Sequence, residues 1–142
     1  MNYYNEIKDI LINNEVAKKI KDYSKNKNDL DSYYQVGKLL IEAQGGEIRA
    51  KYGDNLIKEY SKKLTRELGK GYSERSLKNM RKFYLFQKGQ TVSAQLSWSH
   101  YQVLLALKEE NKINYYIYQI KKYHLSKREL IKKIKANEYE LV

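Results

Sequence analysis

Four polar residues, Arg75, Lys78, Asn79 and Lys82, recur at i, i+3, i+4 and i+7, the spacing that lines one side of a helix. Their chemistry suits a nucleic acid. The planar fork of Arg75 matches the O6/N7 edge of guanine, and the amide of Asn79 matches the N6/N7 edge of adenine, each in two-point geometry. Lys78 and Lys82, with Lys70 just upstream, suit phosphate contacts. The plain alternative is a lysine-rich solvated face. Arg75 and Arg81 are two of only five arginines in a chain with 23 lysines, a sign that a planar fork is wanted here. Arg81 phases toward the core boundary, where a structural ion pair is an equally good reading.

Other residue combinations with chemical potential are few. His100 and His124 are the two histidines; without cysteine or a tight His/carboxylate cluster, no zinc site is expected. Ser97 and Ser99 precede His100, but neighbouring positions at a helix start point in different directions and no acid completes a Ser–His relay. Capping by Ser97 or Ser99, with Trp98 and His100 packed or paired locally, is expected instead. Gly45-Gly46 and Gly69-Lys70-Gly71 lack phosphate-loop spacing. Asp29/Asp31 and Glu109/Glu110 read as helix-end and surface acids. No catalytic residue, metal site or cofactor is expected, and the chain is read as a non-enzyme.

Two helices and a turn must carry the basic face. Asp54 can cap a helix bearing Leu56, Ile57, Tyr60, Leu64 and Leu68. Gly69-Lys70-Gly71-Tyr72 interrupts it, Ser73 caps a second helix, and Tyr72 and Leu77 are placed as a hydrophobic staple. Leu77, Met80, Phe83 and Tyr84 form the apolar face of this second helix, and Phe86 phases near the basic one. Residues 54–88 therefore have the shape of a helix-turn-helix with a recognition helix.

The rest of the chain also reads as helix. With no proline and no sustained period-2 pattern, the expectation is an all-α, compact multi-helix fold, residues 1–142 forming a single helical domain of seven helices. A first helix is expected over about 3–25 with Ile7, Ile10, Leu11, Val16 and Ile20 inward, ended by Asn26-Lys27-Asn28-Asp29. A second, about 30–43, carries Tyr33, Val36, Gly37, Leu40 and Ile41 and stops at Gly45-Gly46. Gly37 in mid-helix costs about 1 kcal/mol relative to Ala, so its use is the close approach of another helix. After a loop over 89–95, residues 97–142 hold the C-terminal helices: one opening at Leu96-Ser97-Trp98 and running through Leu107, one over about 113–123, and one begun by the capping box Ser126-Lys127-Arg128-Glu129 with Leu125 and Leu130 as its staple. Among the tyrosines, Tyr33, Tyr60, Tyr84, Tyr101, Tyr116 and Tyr123 phase as core-rim residues with a wet hydroxyl rather than as platforms for unpaired bases.

The formal charge of +11 is unevenly spread. Abundant Lys, Asn, Ile and Tyr would follow from AT-rich coding alone, so the distribution decides more than the total. Residues 1–53 carry 9 basic and 8 acidic side chains, residues 54–96 carry 10 and 4, and residues 97–142 carry 9 and 5. The excess begins where the helix-turn-helix begins, as a phosphate-facing surface requires. No apolar run reaches membrane-spanning length and no signal-peptide pattern opens the chain, so no membrane contact and a cytoplasmic location are expected. The alternating charges of residues 1–28 suit a homo-oligomeric or other partner contact, which leaves a protein-interaction module as the second function class.

Five blocks in order resemble the N-terminal helical domain of the YhcG-type family of PD-(D/E)XK nucleases. They are Tyr33-Tyr34-Gln35-Val36-Gly37-Lys38; Ala50-Lys51-Tyr52-Gly53; Gly71-Tyr72-Ser73 with Arg75, Leu77, Met80, Arg81 and Phe83-Tyr84; Leu96-Ser97-Trp98-Ser99-His100-Tyr101; and Leu125-Ser126-Lys127-Arg128-Glu129-Leu130. The resemblance implies a helical fold and a nucleic-acid context, with a nuclease domain in cis or in trans. That nuclease chemistry needs an Asp on one strand and a Glu-x-Lys on the next to hold Mg²⁺. Glu6-Ile7-Lys8 and Glu110-Asn111-Lys112 match the tripeptide but sit in helical patterns. The expectation is thus a DNA-binding module associated with a nuclease system and carrying no catalytic residue of its own.

Overall fold

A computed structural model describes residues 2–19, 25–47, 55–89 and 95–142. Among these residues there are seven α-helices, one 3₁₀ turn and no strand, so the all-α expectation holds. The helices are α1 (Tyr3–Lys19), α2 (Lys25–Ala43), α3 (Asn55–Leu68), α4 (Glu74–Gln87), α5 (Trp98–Leu104), α6 (Glu110–Tyr123) and α7 (Lys127–Lys135), followed by the 3₁₀ turn Tyr139–Leu141. They fall into two units, residues 1–92 and 93–142. The Asp54 cap, the Ala50–Gly53 block, Ile20 and most of the 89–95 loop lie outside the described residues.

In the first unit α1 packs on α2, α2 on α4, and α3 on both α4 and α1. Asn2 caps α1 by accepting the Asn5 N–H at 3.1 Å. The inner stripe of α1 is Ile7, Leu11 and Asn14, all buried. Val16, expected inward, is 55% exposed: nine residues after Ile7, it sits about 180° around the helix. The break expected at Asn26–Asp29 is absent, because α2 already begins at Lys25. The small intrinsic cost of Asn and Asp in a helix is outweighed by the packing of α2, whose Leu30 and Tyr33 are buried beside the inner stripe of Val36, Leu40 and Ile41.

Gly37 has the use its position implied. A Cβ built there would lie 2.1 Å from the Met80 carbonyl oxygen and 2.9 Å from the Tyr84 Cβ, so α2 and α4 touch backbone to backbone at this point. Tyr34 sits beside the crossing, its ring centroid 5.0 Å from that of Tyr84 and 6.4 Å from that of Phe83, both edge-on. Beyond Ala43 the chain leaves the helix through two glycines with positive φ, and the Gly46 N–H donates to the Ile41 carbonyl at 2.9 Å.

The second unit is built on paired caps. Ser97 and His100 form a capping box at α5, in which the Ser97 N–H donates to His100 Nδ1 at 3.0 Å. The other ring nitrogen, Nε2, lies 2.8 Å from the Leu125 carbonyl oxygen and must be its donor. Ser126 and Glu129 form the expected capping box of α7, flanked by buried Leu125 and Leu130. Leu96, Tyr101, Leu104, Leu105, Ile113, Tyr116 and Ile120 are the other buried apolar residues described in this unit. The Tyr116 hydroxyl accepts the Tyr139 N–H at 3.2 Å and so ties the 3₁₀ turn to α6.

Candidate nucleic-acid interface

The turn between α3 and α4 is set by two glycines and one buried tyrosine. Gly69 and Gly71 have φ of 98° and 109°, a region in which other residues are strained. Ser61 of α3 donates its hydroxyl to the Tyr72 carbonyl at 2.8 Å, closing the turn onto α3. The Tyr72 hydroxyl donates to Glu15 of α1, and burial together with that carboxylate pushes its pKa up. Ser73 then caps α4 by accepting the Ser76 N–H at 3.1 Å, as the sequence implied.

On α4 the inner face comprises Leu77, Met80 and Phe83, with Gln87 also buried. Lys78 and Lys82 lie about 160° around the helix from Met80. Arg75 and Lys82 are exposed and Lys78 is half-buried; Lys70 is exposed in the turn. Among the described residues, none of Lys70, Arg75 and Lys82 forms an ion pair. Elsewhere Lys8 pairs with Glu67, Lys88 with Glu47 at 2.5 Å and Lys63 with Glu59 at 3.4 Å.

One member of the expected set stands apart. Asn79 is buried at 8% exposure, which leaves little of the residue open to a base edge. Two helices, α2 and α3, pack on α4, and burial therefore extends past the single apolar stripe that periodicity reveals. Arg81, on the opposite flank, donates to Gln44 Oε1 at 2.9 Å, a structural role at the core boundary. Leu85, 39% exposed, prolongs the line seven residues beyond Lys78, with Phe86 half-buried beside it.

The outer side of α3 carries cations that the sequence patterns above did not single out. Lys58, Lys62 and Arg66 are exposed there at four-residue intervals, leading toward Lys70. Their spacing is visible in the sequence, but the apolar stripe of the same helix is the stronger signal. Neither Glu-x-Lys match gains a metal-holding setting: both lie in helices, and Lys112 pairs with Glu140 at 2.5 Å. Among the described residues, no group of three or more His, Cys, Asp or Glu could hold a metal ion. No described helix is long and apolar enough to cross a membrane.

Among the described residues the chain is all-α, the fold that the resemblance of the five sequence blocks implies. The family model "DUF1016 N-terminal domain" matches residues 7–141, and the chain belongs to that family. It is 42% identical over 71 residues to "Putative nuclease YhcG" of Escherichia coli (strain K12), a match covering 46% of this chain and 19% of that protein. The YhcG-type N-terminal resemblance therefore stands. No solved structure matches the chain at a significant level.

Proposed function

We propose that this chain is a non-catalytic module that binds nucleic acid, duplex DNA in particular, and positions nuclease chemistry supplied in cis or in trans. The supporting observation is that Arg75, Lys78 and Lys82 lie exposed or half-exposed along the side of α4 that faces away from α2, with Lys70 exposed in the preceding turn. In this reading α4 enters the major groove and α3 lies across the backbone. Arg75, in the first turn of α4, is the base-edge candidate; Lys70, Lys78 and Lys82 contact phosphate, joined by Lys58, Lys62 and Arg66 of α3. Asn79 leaves the contact set because it is buried. The similar Escherichia coli protein is named as a nuclease, which supports the nucleic-acid context.

Fluorescence anisotropy of a labelled duplex across salt tests this. Removing one phosphate contact should flatten the log–log salt slope by roughly 0.9, so Lys78→Glu with Lys82→Glu should lower it by about 2 and weaken binding at every sequence. A folded double variant that binds duplex as well as the parent would show the recognition-helix reading to be wrong.

A second reading, a protein-interaction module, is favoured by one feature. Between α1 and α2 lies a groove of about 490 Å³ in which Ile10 and Leu39 are ringed by Glu6, Asp9, Lys38 and Glu42. Deleting residues 1–28 is unsuitable as a test of oligomerisation because Ile7 and Leu11 belong to the core. Sedimentation of Leu39→Lys serves instead; an unchanged oligomeric state removes a self-association role for this groove.

A further inference from the structure

The second unit carries exposed aromatics of its own. Tyr118 and Tyr123 are 58% and 55% exposed, too far out to serve the core. Tyr123 has nearly the phase of buried Tyr116, but it is the last residue of α6, at the end of the packed face. The Lys122 ammonium stands between the two rings, 5.7 Å from the Tyr118 centroid and 5.3 Å from that of Tyr123. The centroids are thus no more than 11 Å apart, a separation that a short stretch of one nucleic-acid strand can span. From α7, Lys133 reaches to 5.7 Å from the Tyr123 ring while pairing with Glu138 at 3.1 Å.

Apart from the Glu138 carboxylate on Lys133, the charge around these rings is mainly positive. Residues 121–135 hold seven Lys or Arg and a single acidic residue, Glu129, whose carboxylate is engaged by the Ser126 N–H at 3.0 Å in the α7 cap. Arg128 and Lys132 are exposed on α7. Interface cores between proteins are depleted in lysine, which argues against a protein partner here. Exposed rings interleaved with ammonium groups are what a single strand needs: π-faces for unpaired bases and cations for the phosphates that connect them.

We infer that Tyr118 and Tyr123, with Lys122 and Lys133 between and beside them, form a stacking site for unpaired bases of a single nucleic-acid strand. Exchange at the rings favours the base. An exposed ammonium–ring contact is worth about a factor of 2–5 in equilibrium, whereas a stacked base is worth about 5–150. Lys122, displaced from the rings, remains in reach of the adjoining phosphate. The site shares no residue with the duplex contact proposed on α4.

Anisotropy with the full chain tests it, using labelled oligothymidine and oligouridine of about 20 nucleotides, longer than the roughly 4–16 that a small binding fold covers. The parent should bind at least one of them; the thymidine and uridine arms separate DNA from RNA preference. Tyr118→Ala with Tyr123→Ala should weaken that binding by about tenfold or more while leaving duplex affinity and helical circular dichroism as in the parent. Tyr118→Phe with Tyr123→Phe should retain binding, since the π-faces remain. Tyr118→Ala alone, altering a mid-helix exposed ring, gives the same direction without touching the helix end. Lys78→Glu with Lys82→Glu should affect the single strand far less than the duplex, so failure of this site and failure of the α4 interface are separable. The inference is overturned if neither oligonucleotide binds the parent, if the alanine pair binds as the parent does, or if that pair instead changes only the sedimentation of the chain.

Discussion

Gly37→Ala provides the sharpest test of how this fold is held together. Helix propensity alone predicts stabilisation, because Ala in a helix interior is better than Gly by about 1 kcal/mol. The packing predicts the reverse. The new methyl would stand 2.1 Å from the Met80 carbonyl oxygen and 2.7 Å from its carbon, both backbone atoms that cannot rotate away. Relief requires α2 and α4 to separate by about 1 Å along their crossing, loosening the Tyr34 contacts with Phe83 and Tyr84. Overpacking of this kind costs about 1–3 kcal/mol and sometimes more; with backbone on both sides about 3 is reasonable, leaving about 2 net after the propensity gain. For a domain of this size that is a fall in melting temperature of about 8 °C. Urea and thermal denaturation followed by helical circular dichroism measure it. Lys38→Ala, on the exposed side one residue along, should stay within about 0.5 kcal/mol of the parent. A Gly37→Ala variant as stable as the parent, or more so, would falsify the close crossing.

Three further variants test the α3–α4 region. Arg75→Ala should weaken duplex binding by about 1–3 kcal/mol with unchanged stability, whereas Asn79→Ala, which truncates a buried side chain, should lower stability by about 1 kcal/mol and leave affinity near the parent's; the opposite pattern would restore Asn79 as a contact residue. Tyr72→Phe removes the hydrogen bond to Glu15 and should cost about 1.5 kcal/mol at neutral pH. The folded chain holds the Tyr72 proton to higher pH than the unfolded chain, so its contribution is complete below pH ~10 and is lost as pH rises beyond that. The variant's alkaline decline in stability should therefore be shallower by up to about 1.4 kcal/mol per pH unit, and a decline as steep as the parent's would remove Tyr72 from that linkage.

Much of the local structure was legible from residues a few positions apart. Ser73, Ser97 and Ser126 cap helices in the places their sequence contexts indicated, and Gly69 and Gly71 take positive φ where the turn was expected. These features depend on hydrogen bonds between neighbours three or four residues apart, and so the local sequence determines them. The inner stripe of α2 is legible for the same reason: its period is that of the helix itself.

What the sequence by itself determined, then, is the helical class, the caps and turns, and which residues share a side of each helix; the five ordered blocks also indicated the family. The tertiary structure decided how wide each buried face is and where it stops. Periodicity orders side chains around an axis, but it carries no record of how many neighbours press on that axis. Two helices pack on α4, so Asn79 is buried at the flank of its stripe; Val16 lies opposite the packed side of α1 and is exposed. Tyr123 shares the phase of Tyr116 but stands at the end of α6, outside the buried set. Burial is a property of the neighbours, and the neighbours are chosen by the fold.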